Sequence, residues 1–213
     1  MTTPSATPTP EFAKHDPATP EFWNVRFDAK FTPWDQRGVP HCLRDYLLEN
    51  QSPQKVLIPG CGAAHEVEHF LACRWAPIAI DFSPAAVAQA RAQLGSLQSY
   101  VREDDFFGNA IRPGDFEVIY ERAFLCALPR RLWADWAKRV AELIPHAVGG
   151  SESGRLIGFF VEDDDPKGPP FGLRSGELEQ LLSPAFRLLE KKVPQDSISV
   201  FAGKESWQVW ARK

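Results

Sequence analysis

Short apolar runs alternate with longer amphipathic stretches along this chain, and this pattern predicts strands separated by helices. The apolar runs have the length and the glycine, proline or polar boundaries that are typical of buried strands. The predicted strands cover 55–58, 77–81, 100–101, 116–120, 155–161, 186–193 and 207–211, and the predicted helices cover 65–73, 84–94, 131–144 and 175–182. Because strands and helices alternate, we expect an α/β domain with a parallel sheet covered on both faces.

The first part of the chain lacks this periodicity. Residues 1–20 are rich in proline, threonine and alanine, which predicts a flexible arm and leaves 21–213 as a single domain. Trp23 and Phe27 then stand four residues apart and would share one face of a helix. The sequence Thr32-Pro33 should end that helix, because the residue before a proline disfavours helical backbone. A second helix is predicted over 40–50.

Composition and charge restrict the partners of this domain. The chain has 213 residues, of which 44% are hydrophobic and 24% charged, an ordinary globular balance. The formal net charge of −4 lacks the basic excess of nucleic-acid binders, so we expect a small-molecule partner and no nucleic acid. No apolar run reaches the roughly 20 residues of a membrane span, and the N-terminus lacks the apolar centre of a secretory signal. We therefore expect no membrane partner.

Cysteine usage bears on the compartment. The four cysteines are Cys42, Cys61, Cys73 and Cys126, and none of them form a C-x-x-C pair. Four cysteines are too few for a disulfide framework in a chain of this length. We expect reduced thiols and a cytoplasmic location, and nothing in the sequence requires more than a monomer.

The turn after the first predicted strand carries Gly60 and Gly62, at the sheet edge where parallel α/β folds bind ligands. Asp81 ends the second strand about 20 residues later, where a carboxylate can accept both hydroxyls of a ribose. His65 stands where a dinucleotide fingerprint would have its third glycine, which argues against a bound pyrophosphate. A cofactor that contains adenosine without phosphates does not need this third glycine, and S-adenosylmethionine is such a cofactor.

Asp105 and Phe106 follow the third predicted strand at the same edge. The acid could hydrogen-bond the amino group of an adenine while the aromatic ring packs against it. The alternative is a solvated acidic turn before a core phenylalanine.

The residues after the glycine turn contain a rival motif, because His65-Glu66-Val67-Glu68-His69 matches the H-E-x-x-H pattern of zinc hydrolases. Two histidines four residues apart can bind one metal, with Glu66 as the general base. His65 directly follows the turn, however, and Glu68 adds a charge inside the motif. The alternative is a polar helix start whose acidic residues suit the helix dipole. We expect no metal.

Six segments in order resemble the thiopurine methyltransferase family, which includes bacterial thiol and chalcogen methyltransferases and plant halide/thiol methyltransferases. They are FWNVRFDAKFTPWD, VLIPGCGAAHEVEHF, AIDFS, DDFF, FEVIYERAFLCALP and DDPKGPPFG. The resemblance covers about 21–212. It implies a class I S-adenosylmethionine-dependent methyltransferase fold, Rossmann-like, with a seven-stranded, mostly parallel sheet, helices on both faces and one antiparallel strand near the C-terminal edge.

The resemblance also implies a cofactor site for S-adenosylmethionine and its product S-adenosylhomocysteine. By matched position, Gly60, Cys61 and Gly62 would approach the methionine part, Asp81 the ribose, and Phe82, Asp105 and Phe106 the adenine, while Trp23, Phe27 and Trp34 would form an aromatic cover. His65 and Glu66 then become a local variant of the cofactor loop, and the zinc motif becomes a coincidence.

The expected reaction is direct in-line methyl transfer to a small soft nucleophile, with a thiol or thiopurine sulfur as acceptor. Arg122 matches an arginine that thiopurine-type members place near the acceptor, where a cation favours a thiolate. Asp165 is a weaker candidate, as a base. The structural alternatives are a salt bridge from Arg122 to Glu121 or to 163–165, and a rigid surface turn around Asp165.

Two other functions stay open at this point. The same fold could methylate halide, selenium or tellurium species, or another small acceptor. A chain that had lost catalysis could also bind the cofactor and act by interaction, although the intact Gly60, Gly62, Asp81, Asp105 and Arg122 argue against this.

Overall fold

The computed structural model describes Phe12 and residues 14–146, 154–165 and 167–213. Most of the arm predicted over 1–20 lies outside these residues, and its flexibility stays a prediction. The described part contains seven strands. They are β1 (Lys55–Pro59), β2 (Ala76–Asp81), β3 (Val101–Glu103), β4 (Val118–Arg122), β5 (Arg155–Val161), β6 (Phe186–Lys192) and β7 (Glu205–Arg212).

The seven strands form one sheet in the order β3-β2-β1-β4-β5-β7-β6. Strands β1 to β5 pair in parallel, and β7 is antiparallel to both β5 and β6. The predicted mostly parallel sheet with an antiparallel strand near the C-terminal edge is thus confirmed. The strand order reverses beside β1, so its carboxyl end lies at the crevice where such sheets bind ligands.

Helices lie on both faces of the sheet. They are α1 (Pro20–Asp28), α2 (His41–Glu49), α3 (Glu66–Ala72), α4 (Pro84–Leu94), α5 (Trp133–Leu143) and α6 (Glu177–Leu182). The start of α4 follows the expected chemistry, because the Ser83 hydroxyl accepts a hydrogen bond from the Ala86 amide at 3.2 Å and proline occupies the first turn. No helix within the described ranges is long and apolar enough to cross a membrane.

Strand boundaries differ from the prediction by one or two residues, and the starts of β3 and β4 show the physical reasons. Strand β3 begins at Val101, because Gly95–Tyr100 form a 3₁₀ helix after α4. Strand β4 begins at Val118, where pairing with Val56 of β1 starts, although Phe116 is already buried. The apolar run there marks burial in the core, whereas the strand is defined by its hydrogen-bonded neighbours.

The sheet separates two hydrophobic cores. Val56 and Ile58 of β1 face the core under α2 and α3, while Leu57 faces the core under α5 and α6. This alternation follows from the two-residue period of a strand. Because both faces are buried, the strands read as continuous apolar runs.

Candidate active site

A cavity of about 1170 Å³ opens at the carboxyl ends of β1, β2 and β4. A pocket of this size can enclose a cofactor and a small second ligand. Its lining includes Trp23, Phe27, Trp34, Gly60, Cys61, Gly62, Asp81, Phe82, Asp105, Phe106 and Arg122. These are all the site residues predicted from the sequence except Asp165, so separate loops meet in one place.

The glycine turn after β1 has left-handed backbone at both glycines, with φ of +56° at Gly60 and +50° at Gly62. Side chains rarely adopt this conformation, which explains why glycine stands at these positions. The Cys61 amide between them donates to the Ile80 carbonyl at 3.0 Å, which ties the turn to β2. The turn therefore presents backbone directly to the cavity.

Asp81 at the end of β2 is held by two backbone amides. Its Oδ2 accepts from Gly62 N at 3.1 Å, and its Oδ1 accepts from Ser83 N at 2.9 Å. The side chain is buried, and burial raises the pKa of Asp81 to about 6, although these amides act to lower it. The structure thus fixes a carboxylate, with lone pairs remaining, at the cavity wall.

The aromatic cover is formed by α1 and the segment after it. The Trp34 ring lies edge-on to Trp23 and to Phe27, with centroid distances of 5.5 and 6.1 Å. A Cβ atom on Gly62 would lie 3.7 Å from the Phe27 ring, so this ring stands directly over the glycine turn. The three aromatic residues predicted as a cover are brought together here.

The loop after β3 is fixed by an arginine of α5. Arg139 donates to the carbonyls of Phe106, Gly108 and Ile111 at 3.1, 2.7 and 2.8 Å. Within this loop the Asp105 carboxylate accepts from the Phe107 amide at 3.0 Å, and Phe106 is buried. Arg139 thereby holds the loop that carries both predicted adenine contacts.

Arg122 at the end of β4 forms an ion pair that the sequence did not indicate. Its Nη1 lies 2.9 Å from Glu66 Oε1, and its Nη2 donates to Gln36 Oε1 at 2.6 Å. Burial acts to lower the pKa of Arg122, but Tyr120 and Glu66 outweigh it and raise that pKa, so the guanidinium stays charged. The predicted partners, Glu121 or the acidic run 163–165, were wrong.

Glu121 instead supports the turn after β4. It is fully buried, and its Oε1 accepts from the amides of Phe124 and Leu125 at 2.7 and 2.8 Å. Burial raises the pKa of Glu121 to about 8 despite these two amides. The Phe124 ring, which this turn positions, lines the cavity and packs on Phe106 at 5.2 Å.

His65 joins the glycine turn to the cover segment. Its Nε2 lies 2.7 Å from Asp35 Oδ1, and its Nδ1 lies 2.6 Å from Gln93 Nε2. Hydrogen bonding to Asp35 raises the pKa of His65. Both ring nitrogens are therefore engaged, and the described ranges contain no group of three or more side chains that could hold a metal. Glu66, the base of the rival motif, pairs with Arg122.

Asp165 lies apart from the other predicted residues. It is exposed, accepts from the Lys167 amide at 3.0 Å, and does not line the cavity. The same loop reaches the cavity through Gly168, Pro169 and Pro170. Asp165 thus lies at the surface and away from the cavity, as in the structural alternative, and its role as a base stays a prediction.

The sequence did not predict the contacts described above for four residues near the site, namely Asp35, Gln36, Glu66 and Arg139. Glu66 lies within the H-E-x-x-H motif, and Asp35 ends the segment FWNVRFDAKFTPWD, so both acids could have been considered as site residues from the sequence. Within the loop after β3, Arg139 binds three backbone carbonyls, and backbone contacts of this kind cannot be read from the identity of the loop residues.

Sequence comparison places this geometry in a family. The sequence model described as Thiopurine S-methyltransferase (TPMT) matches residues 18–213. The chain belongs to the thiopurine S-methyltransferase family. Among similar proteins, Thiocyanate methyltransferase 1 of Arabidopsis thaliana is 29% identical over 201 residues, covering 89% of this chain and 84% of that protein. Thiopurine S-methyltransferase of Acinetobacter baylyi is 25% identical over 197 residues, covering 81% and 88%.

Solved structures agree on the fold. The 1,6-didemethyltoxoflavin-N1-methyltransferase of Burkholderia thailandensis, solved with S-adenosylhomocysteine, superposes with a TM-score of 0.69 at 17% identity, covering 91% of this chain and 86% of that chain. Magnesium protoporphyrin IX methyltransferase of Synechocystis, solved with S-adenosylmethionine, gives 0.64 at 12% identity, covering 95% and 100%. This family member therefore has the fold of S-adenosylmethionine-dependent methyltransferases.

Proposed function

We propose that this enzyme transfers the methyl group of S-adenosylmethionine to the sulfur of a small thiol or thiopurine. The observation that carries the proposal is the Asp81 carboxylate at the end of β2, held against the glycine turn inside the cavity of a thiopurine S-methyltransferase family member. The names of the bacterial and plant relatives, which specify thiopurine, thiol and thiocyanate, support a sulfur acceptor.

The residues of the cavity fit the cofactor. Asp81 accepts two amides and retains lone pairs for ribose hydroxyls, which only donate to a carboxylate. A side chain at Gly62 would enter the space under Phe27, so the bare backbone leaves room for the methionine part. The exposed Asp105 carboxylate offers an acceptor for the adenine, whereas Phe106, which also lines the cavity, is almost wholly buried in the core behind it.

Ribose binding through Asp81 makes cofactor affinity depend on pH. The pKa of Asp81 is about 6 in the protein, and hydroxyls bind best to the ionised form. We expect S-adenosylhomocysteine to bind about tenfold more weakly at pH 5 than at pH 7.5, because about a tenth of Asp81 is then ionised. Calorimetry across this range measures the effect.

The control for this titration is Asp81→Asn. His65 also gains a proton as the pH falls, since Asp35 raises its pKa. If the pH dependence persists unchanged in Asp81→Asn, it belongs to His65 or another group, and the assignment to Asp81 is wrong.

Arg139 should matter for the adenine through the loop that it holds. We expect Arg139→Gln to weaken S-adenosylhomocysteine binding about tenfold, because a loop that has lost two or three hydrogen bonds must be ordered on binding. Arg212→Gln is the matched control, since Arg212 also donates to two carbonyls, of Ala141 and Ala185, but lies outside the cavity lining. Equal effects of both changes would contradict a specific role for Arg139.

The chemistry asks little of the protein beyond orientation. The bound cofactor supplies a methyl group already activated by a sulfonium. S-adenosylmethionine, held by the Gly60–Gly62 turn and Asp81, would supply this methyl group to an acceptor thiolate whose proton had passed to solvent, and S-adenosylhomocysteine would be the leaving group. Thiols ionise near pH 8.5, so no protein base is required. The aromatic cover would shield the bound ligands from water, and Arg122 at the cavity wall is the proposed contact to the acceptor.

The proposal is tested in two steps. Calorimetry with S-adenosylmethionine and S-adenosylhomocysteine comes first, followed by methyl transfer to thiols, thiopurines, sulfide, thiocyanate, halides and selenium or tellurium species. Micromolar cofactor binding with preferred turnover of a thiol supports the proposal. Preferred turnover of halide or selenium species would replace the acceptor class, and cofactor binding without any turnover would favour a non-catalytic role.

A further inference from the structure

Arg122, at the end of β4, lines the cavity, and an ion pair with Glu66 neutralises its charge. Arg122 and Glu66 both line the cavity, with their side chains 13% and 8% exposed, and their charged atoms lie 2.9 Å apart. Glu66 holds a second contact, since the Tyr120 hydroxyl donates to the same oxygen at 3.4 Å. The Arg122–Glu66 pair therefore gives this part of the cavity wall zero net charge, whereas Arg122 alone would make it positive.

The rest of the described lining does not supply a replacement cation. Arg26 lies back along its own helix, α1. Its guanidinium is 3.4 Å from the Phe22 ring centroid, and its Nη1 donates to the Phe22 carbonyl. The carboxylic acids of the lining are Asp35, Glu66, Asp81, Asp104, Asp105 and Asp135, and His65 is the remaining basic side chain among the described lining residues. An acceptor that carries a carboxylate beside its thiol would thus meet an environment of mostly like charge.

We infer that Glu66 is a specificity-determining residue, which neutralises Arg122 and thereby makes the enzyme prefer acceptors whose non-reacting part is uncharged over acceptors bearing an anionic group. This inference rests on the proposed function, because it concerns the acceptor of the same site. Discrimination of this kind arises because the neutral pair offers an anionic group no free cation to offset the loss of its hydration.

The substitution Glu66→Gln tests the charge with little change of shape. The amide oxygen of glutamine can still accept from Arg122 Nη1, so the guanidinium keeps its place while the pair gains one positive charge. The probes are thiophenol and its para-carboxylate, 4-mercaptobenzoate, which share an aryl thiol and differ by one carboxylate. The measured quantity is the specificity ratio, which is kcat/KM for the carboxylate-bearing thiol divided by kcat/KM for thiophenol. We expect Glu66→Gln to raise this specificity ratio on the order of tenfold.

Two further variants complete the test of charge. Arg122→Gln leaves Glu66 as an unbalanced anion and should lower the specificity ratio by a similar factor. The double variant Glu66→Gln/Arg122→Gln should return the specificity ratio close to that of the wild type, because the pair is again neutral. A purely structural role of Glu66 predicts equal losses for both acceptors and no such reversal.

Glu68→Gln is the matched control. Glu68 lies two residues along the same helix α3, carries the same charge and is exposed outside the cavity, so its substitution should leave the specificity ratio unchanged. Unfolding temperatures of all variants show whether a change reflects loss of folded protein. A specificity ratio unaltered in folded Glu66→Gln, or altered equally by Glu68→Gln, overturns the inference.

Product binding separates this inference from the proposed function. Thioanisole and 4-(methylthio)benzoate are the methylated forms of the two probes, and calorimetry measures their binding to the protein saturated with S-adenosylhomocysteine. If the wild type methylates neither thiol, the proposed function fails for aryl thiols, while a product preference that shifts in Glu66→Gln still supports the inference. If neither product binds, or their relative affinity is the same in both proteins, the inference fails.

Discussion

Replacement of Asp81 by asparagine is expected to weaken S-adenosylhomocysteine binding about a hundredfold without lowering the unfolding temperature. The loss of affinity follows from two ribose hydroxyls that would donate to a charged acceptor, each such hydrogen bond contributing about 1.5–3 kcal/mol. Asparagine keeps one oxygen and turns the other acceptor into a donor. That donor would face the Gly62 amide or the ribose.

Stability should respond differently because the ionised Asp81 is costly in the folded protein. Its pKa is raised from 3.8 to about 6 by burial, so the folded chain binds the proton more tightly than the unfolded chain. The free energy of unfolding therefore falls as the pH rises from about 4 to about 6, and at neutral pH the loss is about 3 kcal/mol. Asparagine removes this cost and loses one backbone hydrogen bond of about 1–3 kcal/mol, so the two effects nearly cancel.

Calorimetry and thermal unfolding measure the two outcomes separately. Asp45→Asn is the control, because Asp45 is an exposed residue of α2 outside the cavity lining. Affinity of Asp81→Asn within threefold of the wild type would remove Asp81 from the cofactor site. A large fall of the unfolding temperature would show that the carboxylate mainly holds the glycine turn.

The parts of the site that could be predicted from the sequence are those set by local chain geometry. Gly60, Gly62 and Asp81 follow strand ends, and strands of a parallel sheet end at one edge, so their convergence follows from strand order and period. The strands themselves lie within a few residues of their predicted positions because both sheet faces are buried. Their apolar runs therefore stand out from the amphipathic helices.

The parts that could not be predicted depend on contacts between distant segments. The Arg122 side chain has acidic candidates nearby in sequence, yet its partner is Glu66, 56 residues earlier, since the start of α3 lies beside the end of β4. The sequence around Glu66 suggests a helix-dipole partner or a metal-site base, both of which are local explanations. Whether an acid and a base meet across a cavity depends on the packed fold, which spacing along the chain does not encode.

Replacement of Gly60 by alanine is expected to lower stability by about 2–5 kcal/mol and to abolish measurable cofactor binding. A left-handed residue with a Cβ atom costs about 1–2 kcal/mol, and the φ of Gly60 is +56°. Its Cβ would also lie 2.4 Å from Phe124 Cδ2, which no real contact tolerates. Moving a packed ring costs typically about 1–3 kcal/mol more.

Gly62→Ala separates the two causes. Gly62 has nearly the same backbone, with φ +50°, but its Cβ would meet the Phe27 ring at an ordinary 3.7 Å. We therefore expect Gly62→Ala to cost only the backbone term of about 1–2 kcal/mol, measured by denaturant unfolding of both variants. Because Phe124 packs on Phe106 beside the loop held by Arg139, only Gly60→Ala should also disturb the adenine side of the cavity. Equal stability losses in the two variants would show that the Phe124 ring yields freely, and that the backbone alone requires glycine at both positions.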